Sequence, residues 1–143
     1  MDHVLTDDVE RGEEIARACG QFYNPKCDHN FARVRDGRLL GGVMFNHYTR
    51  ESMQIHVAGF DPHWGTRLMI YLAFDYPFNQ LGVKRLFGMV PETNWRAQVI
   101  NMKLGFKMVA RIEGVFRHGD ACVVMRMDRE DCRLLGLKPF PMH

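Results

Sequence analysis

The feature that most constrains the fold is a repeated change in hydrophobic period between residues 53 and 112. Apolar residues alternate or run together, as they do in strands, over Met53–Phe60, Arg85–Val90 and Phe106–Ile112. They recur at helical spacing from Thr66 to about Gln80 and from Asn94 to Leu104. Because strand–helix–strand units need parallel pairing through right-handed crossovers, the sequence predicts parallel strands here.

Turn signals on either side of this region predict hairpins. Asp36-Gly37 separates Phe31–Arg35 from Leu39–Thr49, and the turn 117–120 separates Phe106–Ile112 from Ala121–Met127. Hairpin strands pair antiparallel, whereas the crossover units pair parallel. The predicted fold class is therefore α/β, with one mixed sheet and helices on both of its faces.

The first and last segments complete the predicted order of elements. A helix from about Asp8 to Phe22 is expected to be capped by Asp7, with Glu10 completing an acidic capping box. From Asp128 onwards we expect one short helix and then an apolar tail over about 136–143. No linker interrupts the 143 residues, so residues 1–143 are predicted to form a single domain.

Composition and charge exclude several classes of protein. The net charge is +2 with no block of like charges, so the electrostatic pattern of a nucleic-acid-binding protein is missing. The sequence contains no stretch of about 18 apolar residues and therefore predicts no membrane span, and its first residues are not typical of a secretory signal. Four cysteines without a CxxC pair are typical of reduced thiols, so a cytoplasmic location is expected. The spacing of Cys19, Cys27 and His29 does not fit a zinc site, and no metal is expected.

Two helix starts are candidate ligand sites. The joint His63-Trp64-Gly65-Thr66-Arg67 ends a strand and begins a helix, whose first amides attract a phosphate, with a hydroxyl and a cation beside them. Asn94 follows a strand and a proline, where ligands of open α/β sheets bind. Both positions also have a purely structural interpretation, because strand–helix joints always expose amides and asparagine is a strong helix cap.

The combined motifs resemble the GNAT acetyltransferase superfamily. They are Leu81-Gly-Val-Lys-Arg-Leu86, then Asn94, then Lys103-Leu-Gly-Phe106, followed by strand–turn–strand. The LGF helix end and the final Met125-Arg-Met-Asp-Arg-Glu-Asp-Cys-Arg-Leu-Leu135 are similar to the RimJ/RimL-like branch. The resemblance covers roughly Leu39 to Leu135.

This resemblance implies acetyl-coenzyme A as the cofactor and an amine as the acetyl acceptor. The pantetheine arm is expected between two splayed parallel strands, Met53–Phe60 and Arg85–Val90. Its implied contacts are Val57, Ala58, Gly59 and Asn94, and the pyrophosphate would bind the amides of Gly65, Thr66 and Arg67.

Two positions depart from the family pattern. The phosphate-binding loop keeps one glycine, Gly65, where the family usually has more, although Arg67 offers a direct phosphate contact. Asn101, on the cofactor side of the site, stands where many members carry a tyrosine that protonates the leaving thiolate. An asparagine has no proton to give for that purpose.

His56 is the candidate general base, since it lies on the strand expected to line the site and an ordinary imidazole titrates at about 6.5. A hydrogen-bonded sheet histidine is the structural alternative, and Glu51, His47 and Asp61 are weaker candidates.

The predicted function is an acetyl-coenzyme A-dependent N-acetyltransferase acting on an amine-bearing small molecule or peptide, with a homodimer as a possible assembly. The alternative is a non-catalytic module of the same fold that binds a protein or nucleic-acid partner. The single glycine and Asn101 favour that alternative.

Overall fold

The computed structural model describes residues 1–139 and contains one seven-stranded sheet, in the order β1-β2-β3-β4-β5-β7-β6. Its strands are β1 Asp2–Thr6, β2 His29–Arg35, β3 Arg38–Asn46, β4 Ser52–Gly59, β5 Arg85–Pro91, β6 Lys107–Ile112 and β7 Cys122–Asp128. Its helices are α1 Val9–Ala18, α2 Arg67–Phe74 and α3 Trp95–Leu104, with a π-helix at Asp75–Gln80 and a short 3-10 helix at Arg129–Asp131.

The predicted mixed α/β sheet is confirmed. Strands β4 and β5 pair parallel, and every other neighbouring pair is antiparallel. Helices α2 and α3 both pack on the same core and therefore lie on one face of the sheet, as expected of right-handed crossovers that advance in the same direction. Helix α1 packs against β2, β3 and β4 on the other face.

The two faces have separate apolar cores. The larger core lies on the α2 side and includes Phe45, Met69 and Met125, whereas the smaller lies under α1 and includes Ile15 and Met44. Successive residues of β3 therefore point to opposite cores, as strand geometry requires.

The N-terminal region differs from the prediction in two respects. Strand β1, which pairs antiparallel with β2 at the edge of the sheet, was not predicted. The cap of α1 is Asp8, whose carboxylate accepts from the Arg11 amide, rather than Asp7. Asp7 lies in the left-handed region at φ 54° and accepts from the Asn30 amide instead.

The helix boundaries also differ. Helix α1 ends at Ala18, because Gly20 turns into the left-handed region at φ 70°, and Phe22, predicted to be the last residue of this helix, is 95% exposed. The predicted helix from Thr66 to Gln80 changes at Phe74 into the π-helix that contains Pro77, consistent with the missing amide of proline. Of the predicted tail, residues 140–143 lie outside the described residues.

Candidate active site

The parallel strands β4 and β5 separate along most of their length. They pair only at Ser52–Gln54 with Arg85–Phe87, although β4 continues to Gly59 and β5 to Pro91. Helix α2 contacts β2, and α3 contacts β5, so the two helices lie on either side of this opening. The predicted splayed pair is confirmed, and it forms a cleft between the two arms of the sheet.

The floor of the cleft contains a glycine that the sequence analysis did not select. Gly88 on β5 is buried, yet a Cβ atom added to it would have no neighbour within 4 Å. Its partner on β7 is Met125, which belongs to the core on the α2 side. Asn101 of α3 directs its Nδ2 atom at the Met125 sulfur, 3.7 Å away. Open space therefore lies on the helix side of the sheet, beside Asn101.

The loop that leads into α2 is fixed by Trp64. A Cβ atom at Gly41 or Gly59 would overlap its indole ring, so these two facing glycines form the seat for the side chain. The predicted pantetheine contact Gly59 thus lies beneath Trp64. The sequence contains no local signal for this contact, because Trp64 and the two glycines come from separate elements.

The first turn of α2 offers free hydrogen-bond donors. The Thr66 hydroxyl caps the helix by accepting from the Met69 amide at 3.3 Å, and the Thr66 amide donates to the Trp64 carbonyl at 2.9 Å. Within residues 1–139, the amides of Gly65, Arg67 and Leu68 have no protein acceptor. Of the three amides predicted to bind pyrophosphate, that of Thr66 is therefore hydrogen-bonded within the turn, and those of Gly65 and Arg67 are free to bind a ligand.

A groove of about 360 Å³ adjoins this helix start. It is lined by Thr66 and Arg67 and, from the other side, by Asp2, His3 and Arg33. The Arg67 side chain is exposed and forms no ion pair within the described residues. No Cβ contact would hinder Gly65, so the space above the loop is open. These features fit an anionic group at the start of α2.

Asn94 and Asn101 lie at the start and in the last turns of α3. The Asn94 carboxamide oxygen accepts from the Ala97 amide at 3.2 Å, which confirms its role as a helix cap. Its Nδ2 atom has no partner among residues 1–139 and is free to donate to a ligand. Gly105 ends the helix at φ 122°, a backbone conformation that favours glycine, and so accounts for the LGF helix end.

His56 lies on the opposite face of the sheet, toward α1. It is 3% exposed, and its Nε2 atom lies 3.0 Å from Oδ1 of Asn46, which can only accept, so Nε2 carries the proton. Burial, with a smaller contribution from His47, lowers the pKa of His56 to about 4 against the opposing effect of Asp28. The imidazole is therefore neutral at neutral pH, and its Nδ1 lone pair is available.

The two other predicted cofactor contacts on β4, Val57 and Ala58, differ in exposure. On β4, Val57 is half-exposed and Ala58 is buried in the core under α1. The Cys19 thiol lies 3.4 Å from the Val57 carbonyl, and burial raises the pKa of that thiol to about 12.

Two of the three weaker base candidates are held by other groups. Glu51 pairs with Lys84 at 3.1 Å, and Asp61 accepts from the His63 amide and pairs with Arg38. His47 occupies a left-handed turn at φ 53°. In the part of the chain that the structure describes, no three His, Cys, Asp or Glu residues are grouped to hold a metal ion.

Comparison with known proteins adds the following. No protein-family model matches the sequence, and none of the curated proteins matches it either. Among solved structures, the spermidine/spermine N-acetyltransferase SpeG from Vibrio cholerae is similar, with 15% identity and a TM-score of 0.67 over 91% of this chain and 96% of that one. The N-acetyltransferase PseH from Campylobacter jejuni, solved in complex with acetyl coenzyme A, has 16% identity and a TM-score of 0.55 over 71% and 68% of the chains.

The chain has the fold of these N-acetyltransferases. A putative acetyltransferase from T. thermophilus shares it as well, with 20% identity and a TM-score of 0.61 over 73% of this chain and 60% of that one. The GNAT-like fold expected from the motifs is confirmed, whereas the RimJ/RimL-like branch stays a prediction. Among residues 1–139, no helix is long and apolar enough to cross a membrane.

Proposed function

We propose that this protein is an acetyl-coenzyme A-dependent N-acetyltransferase. The observation that carries the proposal is the cleft between β4 and β5, which opens after three paired positions beside a buried glycine with open space above it. A sheet that ends its pairing this early exposes backbone groups of β4, and a ligand that pairs with them recovers the lost hydrogen bonds.

The residues around the cleft match the parts of such a cofactor. The amides of Gly65, Arg67 and Leu68 and the Arg67 guanidinium would bind its diphosphate, since helix starts and arginine favour phosphate oxygens. The stretch Val57–Gly59, which pairs with β3 but not with β5, and the Nδ2 atom of Asn94 would bind the pantetheine arm. Bound there, the cofactor supplies an activated acetyl thioester.

The residues on the α1 side of the sheet would serve the acceptor amine. The attacking nitrogen must lose a proton, and Nδ1 of His56, the ring nitrogen that does not face Asn46, would accept it. With a pKa near 4, His56 is a weak base that is already deprotonated at every pH of interest. If His56 is the base, kcat/KM should therefore rise near pH 4 rather than near pH 6.5.

Asn101 would act on the leaving sulfur as a hydrogen-bond donor, not as an acid. Its Nδ2 atom already faces a sulfur, that of Met125, beside the open space at Gly88. A donor so placed stabilises developing negative charge without transferring a proton.

The acceptor is proposed only as a primary amine on a small molecule or peptide, and the location as the cytoplasm. The homodimer stays a prediction. The rival non-catalytic module predicts a cleft without affinity for acetyl-coenzyme A.

Calorimetric titration with acetyl-coenzyme A tests the proposal. We expect saturable binding with a Kd of about 1 μM, near −8 kcal/mol, for the wild-type protein. Arg67→Ala should weaken it about tenfold, since an exposed charged hydrogen bond is lost. Arg17→Ala removes an exposed arginine from α1, on the opposite face, and should leave affinity unchanged. Absence of binding up to millimolar concentration would reject the proposed function in favour of the module.

A further inference from the structure

We infer that Arg33 is a positioning residue that holds the diphosphate-binding loop in its ligand-ready conformation. The inference rests on the proposed function for the identity of the ligand, an organic diphosphate. It concerns a residue of β2, a strand that takes no part in the cleft between β4 and β5.

Arg33 is a buried arginine, 6% exposed, and all of its polar atoms are used. Its Nη1 atom donates to the His63 carbonyl at 2.5 Å, two residues before Gly65. Its Nε and Nη2 atoms donate to both carboxylate oxygens of Asp2 at 3.2 and 2.8 Å. One guanidinium therefore joins the edge strand β1 to the loop before α2.

The backbone places this side chain on the loop side of the sheet. The register of β2 and β3 shifts between Arg33 and Val34, so that Leu40 on β3 is an extra residue. The Leu40 carbonyl accepts from the amides of Phe60 and Asp61 and thereby fixes the beginning of the loop. A bulge of this kind is a known means of redirecting side chains at the end of a strand.

Asp2 makes the buried charge tolerable. The bidentate contact with Arg33 lowers the pKa of Asp2 to about 2, and the half-exposed Arg35 reaches the same carboxylate at 3.4 Å. An unpaired buried guanidinium would be costly. Because Asp2 is the counter-ion and binds Nε and Nη2, the Nη1 atom of Arg33 is left to donate to the neutral His63 carbonyl.

The consequence is a loop whose free amides are ordered before a ligand arrives. The loop is held at the Leu40 carbonyl, at the seat of Trp64 and at the Arg33 contact with His63. If the last of these is lost, binding must order residues 63–65 at the ligand's expense. Affinity for the diphosphate should then fall, whereas contacts along the cleft should be unaffected.

The experiment compares three ligands across three variants. Acetyl-coenzyme A contains the diphosphate, S-acetylpantetheine lacks it, and inorganic pyrophosphate tests the loop alone. Arg33→Gln removes the loop contact, and Arg33→Lys keeps the charge but cannot reach Asp2 and His63 together. Arg35→Gln is the matched control, because it removes the same charge from the same strand and the same partner, Asp2, without touching the loop.

We expect Arg33→Gln to weaken acetyl-coenzyme A and pyrophosphate roughly 10- to 100-fold and S-acetylpantetheine less than about twofold. Arg33→Lys should be intermediate, and Arg35→Gln should match the wild type with all three ligands. Equal weakening of acetyl-coenzyme A and S-acetylpantetheine would make Arg33 a structural residue only, and unchanged affinities would remove its role altogether. If Arg33→Gln does not fold, Arg33→Lys decides between the same outcomes.

The proposed function can fail separately. A wild-type protein that binds pyrophosphate but not acetyl-coenzyme A would reject acetyl transfer and retain the role of Arg33, provided that Arg33→Lys weakens pyrophosphate. A wild-type protein that binds neither ligand would overturn both.

Discussion

Helices α1 and α3 have the same length, ten residues, but very different surroundings. Helix α1 contacts three strands and buries Gly12, Ile15 and Ala16. Helix α3 contacts β5 and has no buried residue, and β6, which follows it, is exposed along its whole length. Helix α1 is thus part of the core, whereas α3 packs on the sheet with most of its surface exposed to solvent.

The difference shows how α3 is held in place. Its two ends are fixed, by the Asn94 cap and by Gly105, whose amide donates to the Asn101 carbonyl. Between them only Ala97 and Leu104 pack against the larger core. A helix fixed at its ends leaves one side open to the cleft, which suits a wall that meets a ligand better than one that supplies core stability.

The largest effect should come from truncating matched isoleucines on the two helices. Ile15 on α1 is 0% exposed, and Ile100 on α3 is 50% exposed. We expect Ile15→Ala to lower the free energy of unfolding by about 2–5 kcal/mol, because it leaves a cavity. Ile100→Ala should cost less than about 1 kcal/mol, measured for both by urea denaturation. Equal losses would show that α3 is as important to the core as α1.

The α1 side of the sheet also buries a titratable group, His56, which should make the stability of the protein depend on pH. Because the folded pKa of His56 is near 4 and its unfolded value is 6.5, the unfolded state binds more protons between these values. Stability should therefore be complete above about pH 6.5 and fall as the pH drops toward 4, by up to about 3 kcal/mol.

Urea unfolding of the wild type and of His56→Gln across pH 4 to 7 gives the free energy of unfolding as a function of pH. The difference between the two slopes of this free energy against pH measures the contribution of His56. Coincident slopes would mean that His56 is not held neutral by its burial under α1.

Much of the fold could be predicted from the sequence because its signals are local. Hydrophobic periods, the Asp36-Gly37 turn and the Gly105 helix end each act within a few residues, and they locate six of the seven strands. Strand β1 was not predicted because a five-residue strand at the edge of the sheet can form without a clear alternation of apolar residues. Asp8 rather than Asp7 caps α1 because a long-range contact with β2 draws Asp7 away.

The site was predicted less completely because its key contacts are long-range. The helix starts at Thr66 and Asn94 have sequence signatures; the structure confirms the predicted Asn94 cap and shows that Thr66 caps α2. The contact from Arg33 to His63 joins residues 30 positions apart, across two strands, and no local pattern announces it. The open space at Gly88 likewise depends on where α2 and α3 stop covering the sheet.

Filling the space at Gly88 should separate ligand binding from stability on the α3 side. A leucine there meets no atom within 4 Å of its Cβ, so Gly88→Leu should leave the melting temperature unchanged or raised. Its side chain would occupy the cleft, and acetyl-coenzyme A affinity should fall on the order of 100-fold, or about 2.7 kcal/mol.

Gly136→Leu is the matched control, since Gly136 is equally unhindered but exposed on the C-terminal segment. Calorimetry and thermal unfolding of both variants give the answer. Unchanged affinity in Gly88→Leu would place the ligand elsewhere.

The smallest effect distinguishes the two roles of Asn94. Serine caps a helix about as well as asparagine but lacks the free Nδ2 donor, whereas alanine lacks both groups. Asn94→Ala should destabilise α3 by about 1 kcal/mol, seen as faster hydrogen exchange at the Ala97 amide, and should also weaken acetyl-coenzyme A. Asn94→Ser should exchange like the wild type yet bind acetyl-coenzyme A about three- to tenfold more weakly. If Asn94→Ser binds as tightly as the wild type, Asn94 acts only as a cap, and α3 meets the ligand through its side rather than through its first residue.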